Sequence, residues 1–418
     1  MSEKKKIFVL ADHPFTPSGV GTQTKYFCEA LLSTGKYKIT SFGGAIKHHN
    51  YAPLKTKEWD EDWIIYPVDG YGNQELVRSV LRHERPDVLW FMTDPRFWGW
   101  LWSIDNEIRT HVPMVYHHVW DNKPYPLFNK KYYESNDYIV TISKLTDDII
   151  KTVVPDVPSK YLPHAVDNKV FYKLSKEEIL EHRERTKLPA DKFIFFWNNR
   201  NARRKQSGTL IFWFKKFLDI VGHDKAILMM HTEPKDPNGQ DLSVIIRDLG
   251  LEDGQVLLST QKMDPQDLNV LINMMDCTIN ISDAEGFGLA TLESLSTETP
   301  IIVNMTGGLQ EQVTDGKNWF GVGLEPSSKA VIGSQDVPYI YEDRLNEQEF
   351  IDALLKMYNM SEKERAKLGK LGRQHVEKNY NFETFNENWV KLIDEVIEEN
   401  GSWDTRKRYK PYTFQEIK

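Results

Sequence analysis

Three short segments of the 418-residue chain concentrate residue types that bind phosphate and hydroxyl groups. The first is Asp283 to Glu293, DAEGFGLATLE, which follows the strand-like run CTINIS. Gly286 and Gly288 permit a tight backbone turn, and a helix is predicted from about Leu289 to Thr297 before Pro300 restarts the chain as a strand. The N–H groups of that turn, from Gly286 through Phe287 and Gly288 to Leu289, and the positive helix end then point at the carboxyl edge of a sheet, where ligands bind in open α/β folds. Glu285 and Glu293 are separated by a little over two helical turns at ~3.6 residues per turn, so both can face one cleft. One can hold sugar hydroxyls and the other a ribose diol. The plainer alternative is a solvated helix whose first-turn Glu complements the dipole.

The second segment, NNRNARRK at Asn198 to Lys205, follows FIFFW and places Arg200, Arg203, Arg204 and Lys205 at a strand's end. Arg grips phosphate oxygens in pairs and Lys supplies a point charge, a set suited to a diphosphate; the alternative is a solvated basic turn. The third, PSGVGTQT at Pro17 to Thr24, has Gly19 and Gly21 leading into a helix from Thr22 to Ser33 whose N-terminus could approach a phosphate. Thr24 stands where a dinucleotide fingerprint has its third Gly, and G-K-[ST] is absent, so an ordinary strand-to-helix turn is the competing reading.

These segments need strands to carry them. Lys6–Leu10, Val88–Met92, Val112–Tyr116 and Tyr138–Ile142 are brief and β-rich, with helices predicted at Gln74–His83 and Ile104–Thr110. A second series comprises Phe193–Trp197, Ala226–His231, Val256–Leu258, Cys277–Ile281 and Ile301–Val303, separated by helices at Gly208–Ile220, Asp241–Leu249 and Pro265–Met275. The alternation is that of parallel α/β layers and predicts two Rossmann-like sheets in tandem. LPHAVDNKVFYKL and the charged helix Ser175–Thr186 form the candidate linker. Helices at Ser361–Asn379 and Phe382–Glu399 follow the second sheet, and the last carries Phe385, Trp389, Leu392, Ile393 and Val396 on one face that needs a surface to cover.

Composition narrows the function classes. With 53 Lys and Arg against 61 Asp and Glu, the net charge is −8, the wrong sign for a dedicated nucleic-acid binder. Two cysteines, Cys28 and Cys277, make no disulfide framework, so a reducing compartment, the cytoplasm, is the expected location. The apolar stretch Ile7–Ala11 is too short for a signal peptide, and no run approaches the roughly 18 residues of a membrane span. The acidic triplet in WDEDW, Asp60 to Asp62, fits a metal-binding D-x-D as well as a surface loop. Phe97, Trp98, Trp100 and Trp102 suit either an acceptor platform or a core, with Trp98 and Trp102 on one helical face.

Together the three segments resemble glycosyltransferase family 4, retaining nucleotide-sugar transferases of the GT-B fold. EGFGLATLE is similar to the family's Glu-x7-Glu element, Arg200 and Lys205 have the spacing of its diphosphate-binding pair, TGGLQEQV at Thr306–Val313 resembles its glycine pair before a Glu, and AVDNKVF resembles its interdomain element with Ala165 in place of Gly. The resemblance implies two Rossmann-like domains facing a central cleft. An acceptor-binding domain over 1–170 would precede a nucleotide-sugar domain over 171–381, with a helix and tail over 382–418 crossing back to the first. It implies that Glu285 contacts the donor sugar, Glu293 the ribose, Arg200 and Lys205 the diphosphate, and Gly21 the phosphate from the other domain. The family's catalytic His falls in VYHHVWDN, where His118 is preferred over His117 and is expected at the end of the strand Val112–Tyr116, projecting into the cleft. The implied reaction moves a hexose from a nucleotide-diphosphate sugar, UDP- or GDP-linked, to a glycan, lipid-linked or small-molecule acceptor, with no metal or other cofactor. Modified DNA is retained as one further acceptor class. A nucleotide-sugar epimerase or phosphorylase of the same fold, or a non-catalytic sugar-nucleotide or glycan-binding protein, are the rival readings.

Overall fold

Runs such as KKIFVLAD and FIFFWN are apolar along nearly their whole length, the pattern of parallel strands covered on both faces by crossover helices. In the computed structural model, which describes residues 3–412, they lie at the centres of two separate sheets. The chain divides into two units: one contains the residues up to His164, Gly333–Pro338 and those from Glu383 onward, the other Ala165–Ile332 and Tyr339–Phe382.

The first unit is built on eight strands: β1 (Lys5–Asp12), β2 (Tyr37–Gly44), β3 (Leu54–Lys55), β4 (Trp63–Pro67), β5 (Val88–Met92), β6 (Met114–His118), β7 (Tyr138–Thr141) and β8 (Ser159–Tyr161). Their order is β3-β4-β2-β1-β5-β6-β7-β8, parallel except for the short β3. The chain winds outward from β1 through β2 and β4, then returns to start again at β5 on the other side, so the strand order reverses between β1 and β5. The helix Phe382–Asn400 buries the face read from its sequence. Trp389, wholly buried, lies edge-on to Phe27 at 4.8 Å and to His117 at 5.0 Å, and it also meets Trp90.

The second unit holds β9 (Phe193–Asn198), β10 (Ala226–His231), β11 (Val256–Ser259), β12 (Cys277–Asn280), β13 (Ile301–Asn304) and β14 (Gly321–Leu324), ordered β11-β10-β9-β12-β13-β14 and all parallel. This is the doubly wound order 3-2-1-4-5-6, with its switch point between β9 and β12. Phe195, Trp197, Phe214, Leu228 and Ile279 fill its core. A separate antiparallel hairpin, β15 (Ser328–Ile332) and β16 (Ile340–Arg344), follows β14. The α/β class and the two Rossmann-like domains of the GT-B fold are those expected from the sequence. No helix among the described residues is long and apolar enough to cross a membrane.

Several elements differ from expectation for identifiable reasons. Strand β6 runs two residues further than Val112–Tyr116, so His117 and His118 lie inside it. Strands β2, β4, β8, β14 and the hairpin were not foreseen. β14 is interrupted by glycine and β2 ends on two, β4 follows an acidic turn and ends on Pro67, and the short β8, β15 and β16 carry charged or polar residues. The linker joins the second unit early. From Tyr172 its amides bond to helix side chains of that unit, Tyr172 to Asn269 at 3.0 Å and Leu174 to Asn273 at 2.9 Å. The acidic triplet is a surface turn paired with Lys4 and Lys55. Trp98 and Trp102 both cover Phe91, whereas Phe97 is exposed.

His117, His118 and His164 are all buried in the first unit. Desolvation pushes His118 and His164 down to about 3 and holds His117 well below the usual imidazole range. The unfolded chain therefore takes up protons first, and stability present above pH 6.5 is lost as the pH falls toward 3. His118 and His164 each cost about 2 kcal/mol by pH 5. Urea titrations should show a clearly lower midpoint for the first unit at pH 5 than at pH 7; an unchanged midpoint would mean these rings are protonated without penalty.

Candidate functional site

The two most cation- and glycine-rich segments of the sequence leave neighbouring strands at the switch point of the second sheet. NNRNARRK follows β9 and DAEGFG follows β12, and β9 and β12 are paired through Phe195–Cys277 and Phe196–Thr278. The loops are joined directly by the amide of Asp283, which donates to the Arg204 carbonyl at 2.8 Å, and by Arg204 Nη1, which donates to the Ala284 carbonyl.

At their meeting point Lys205 Nζ forms an ion pair with Glu285 Oε2, and both side chains are about nine-tenths buried. Burial alone would raise the Glu285 pKa. The charges of Lys205 and Arg204, with hydrogen bonds from Lys205 and Asn280, outweigh it and hold the carboxyl below its usual range. Asn280 Nδ2 and Ser282 Oγ lie at 3.4 and 3.5 Å from the same oxygen. Arg200 is placed differently: its guanidinium grips Asp236 in a two-bond fork, 2.7 and 3.2 Å, on an exposed face. In the unliganded chain Arg200 and Lys205 are thus each held by a separate carboxylate.

The turn carrying Glu285 is buttressed from below by TGGLQEQV. Gly307 has φ +51°, and a Cβ there would overlap the Glu285 carbonyl. A Cβ on Gly308 would stand 2.6 Å from Phe287 Cα, and the Gly308 amide donates to the Glu285 carbonyl at 3.1 Å. Gln312 Nε2 donates to the Phe287 carbonyl at 2.7 Å, while its Oε1 accepts from Thr291 at 2.6 Å. Phe287 is buried against Tyr380, and Gly288, in the left-handed region at φ +93°, leads into the helix Leu289–Ser296. Glu293 on that helix is partly exposed yet closely surrounded, and burial pushes its carboxyl up to about 8. Among the described residues its side chain makes no hydrogen bond or ion pair. A half-buried acid with no protein partner keeps its hydrogen-bonding capacity free.

In the first unit, Gly21 lies in the first turn of the helix Gly19–Leu32. Its amide donates to the capping Ser18 Oγ at 3.0 Å, and a Cβ would stand 2.8 Å from the His13 and Thr16 carbonyls. His118 ends β6 but is wholly buried. Its Nε2 lies 2.9 Å from the Tyr133 hydroxyl, which also accepts from Asn129 at 3.2 Å. His117 points the other way, toward Trp90, His164 and Trp389, as alternation along a strand requires.

Sequence reasoning gave no role to several residues that organise the loops: Asp283 and Gln312 inside the motifs, and Gln206, Asn304, Glu342 and Arg344 outside them. Gln206 Nε2 donates to Asp283 at 2.5 Å, and Asn304 Nδ2 donates to the Ser282 carbonyl at 2.9 Å. Burial pushes the Asp283 carboxyl up to about 6 against the pull of Gln206 and Arg344. Only Asp283 had a visible signal, an acid directly before a glycine turn.

Residues 178–375 match the family model described as glycosyl transferases group 1. This stretch of the chain is similar to a group 1 glycosyl transferase domain. The trehalose synthase of Thermococcus litoralis is 24% identical over 225 residues, 53% of this chain and 52% of that protein, so the chain spans about half the length of that curated relative. The sucrose-phosphate synthase of Thermosynechococcus elongatus superposes with a TM-score of 0.75 at 16% identity, over 95% of this chain and all of that one. Anabaena HepE in complex with UDP and glucose gives 0.70 at 15% identity over 94% and 100%. Both switch-point loops of the second sheet, Lys205 and Glu285 included, fall inside the matched stretch.

The buttress makes its own prediction. Gly307→Ala must push the Glu285 turn aside or leave its φ, at a cost of about 1–3 kcal/mol, and should weaken binding of any ligand the turn holds. Thermal melts and calorimetry on the variant check this; wild-type stability would show the turn is not held from Gly307.

Proposed function

We propose that the chain is a retaining glycosyltransferase that moves a hexose from a UDP- or GDP-linked donor to an acceptor hydroxyl. What supports the reading most is the buried Lys205–Glu285 pair at the switch point of a domain similar to group 1 glycosyl transferases. It sets a cation able to take a diphosphate beside an anion able to take sugar hydroxyls. In this proposal Lys205 leaves Glu285 for the diphosphate, Arg200 turns from Asp236 to share the phosphate charge, and the freed Glu285 accepts from the sugar. The amides from Gly286 to Leu289 and the helix end stabilise the same anion, and Glu293 accepts the two ribose hydroxyls. Charge stabilisation of the departing diphosphate by preplaced donors is the main source of rate, and no divalent metal is required for it.

The first domain's share is Gly21, whose close-packed turn would approach the phosphate, and His118. His118 and Tyr133, to which it is bonded, are both wholly buried, so the role proposed for His118 is support of the end of β6 rather than proton transfer. The UDP and glucose bound by HepE fit the donor class proposed here.

Lys205→Ala should lower transfer by about 10²–10³, or ~2.7–4 kcal/mol, while the protein still melts cooperatively, and activity should persist in EDTA. Wild-type rates in the variant, or loss in EDTA with recovery on Mn²⁺, would contradict the assignment. Glu293 must ionise to accept two hydroxyls. Donor affinity, followed by calorimetry, should therefore strengthen as the pH rises through about 8, and Glu293→Gln should flatten that rise. An unchanged pH profile in the variant would remove Glu293 from the ribose.

A further inference from the structure

The hairpin β15–β16 belongs to neither large sheet, yet β16 is bonded to both loops of the switch point. The Asp343 amide donates to the Asp283 carbonyl at 2.9 Å, and Asn304 Nδ2, which holds Ser282, also donates to the Asp343 carbonyl at 2.9 Å. Between these, Glu342 is 2% exposed and carries its carboxylate between two guanidiniums. Arg203 reaches it with Nη1 at 3.0 Å and Nη2 at 2.5 Å, and Arg344 with Nη2 at 2.5 Å; Arg344 Nη1 lies 3.2 Å from Asp283. A chain of four charges, Arg203–Glu342–Arg344–Asp283, therefore runs from the loop after β9 to the loop after β12.

The chain's two ends are informative. Arg203 is two residues before Lys205 in one short 3₁₀ turn, and Asp283 is two residues before Glu285. Each terminus of the charge chain thus holds the backbone of one member of the site's ion pair. A carboxylate as buried as Glu342 persists only with such compensation, and removing it strands two guanidiniums that no longer share a partner. When Lys205 gives up Glu285 to a ligand, the direct ion pair between the loops is lost, and the hairpin's charge chain stays as an ionic link beside the hydrogen bonds of Gln206 to Asp283 and of Arg204 to the Ala284 carbonyl.

We propose that Glu342 and Arg344 are positioning residues, setting the register between the loop that would hold a donor diphosphate and the loop that would hold its sugar. The inference rests on the donor-site reading of these two loops. A register device has a signature that general scaffolding lacks. Free nucleoside diphosphate leaves Glu285 unused and meets the loop after β12 only through backbone amides and Glu293, so it tolerates a shift between the loops better than the intact nucleotide sugar, which must satisfy Lys205 and Glu285 together.

The test compares UDP with UDP-glucose, and GDP with GDP-mannose, by calorimetry on the full chain. For whichever pair the wild type binds, Glu342→Gln should weaken the nucleotide sugar about tenfold or more while changing the diphosphate by less than about threefold, and the charge-keeping Glu342→Asp should retain most of the wild-type affinity. Should Glu342→Gln fail to fold, Arg344→Gln, at a third-exposed position, carries the same comparison. Equal weakening of both ligands, or no change in either, overturns the proposal. Wild-type protein that binds both pairs' diphosphates but neither sugar nucleotide more tightly than its diphosphate also overturns it, since there is then no register to lose. Wild-type protein that binds none of the four ligands overturns the donor-site reading, and this inference falls with it.

Discussion

A lysine and a glutamate buried against each other are expensive to desolvate, and the Lys205–Glu285 pair is the constraint around which the second domain is arranged. Removing two ions from water is offset only by close contact and further polar partners. Asn280, Ser282 and Arg204 supply those, and the two glycines under the turn let the backbone come near enough for the pair to form. An apolar pair would pack there without any of this support. A buried pair that needs so many partners gains its value from being exchangeable, because an incoming anion can replace one half and a hydroxyl can satisfy the other.

The fold delivers the two halves cheaply. β9 and β12 are adjacent because the strand order reverses between them, so the loops that leave them meet at the carboxyl edge of the sheet. Helix Leu289–Ser296 and the 3₁₀ turn Arg203–Lys205 begin at those loops, so the donor groups come from element ends rather than from long flexible connections. The hairpin extends this logic outward. Its buried Glu342 does for the loops' spacing what Gly307 and Gly308 do for their height. Arg344 and Arg203 compensate the hairpin's charge as Lys205 and Arg204 compensate Glu285.

Much of this was legible in the residues. The apolar runs of β5 and β10 match their predicted bounds, and the buried face of the last helix was readable from Phe385, Trp389 and Val396, because apolar periodicity records burial directly. Strands whose burial comes from neighbours rather than from their own side chains left no such record. SKY in β8 and GVGL in β14 are strands because the sheet accepts them at its edges. At the site, the sequence showed Lys205, Glu285 and the glycine turn, since local spacing carries them. It could not show that Lys205 and Glu285, 80 positions apart, would pair, nor that Arg203 would be drawn to Glu342, 139 positions away. His118 shows the finer limit. Its place at a strand end and its alternation with His117 follow from strand geometry, but the burial of its ring comes from Tyr133 and other neighbours that local sequence does not show.

The central claim is that the Lys205–Glu285 pair is a closed form of a donor site. A crystal structure of the protein with the nucleoside diphosphate that it binds tests this directly. The account predicts Lys205 Nζ within hydrogen-bond distance of a phosphate oxygen and the Glu285 carboxylate released toward the position of the sugar. A diphosphate bound elsewhere, with Lys205 still paired to Glu285, would contradict it.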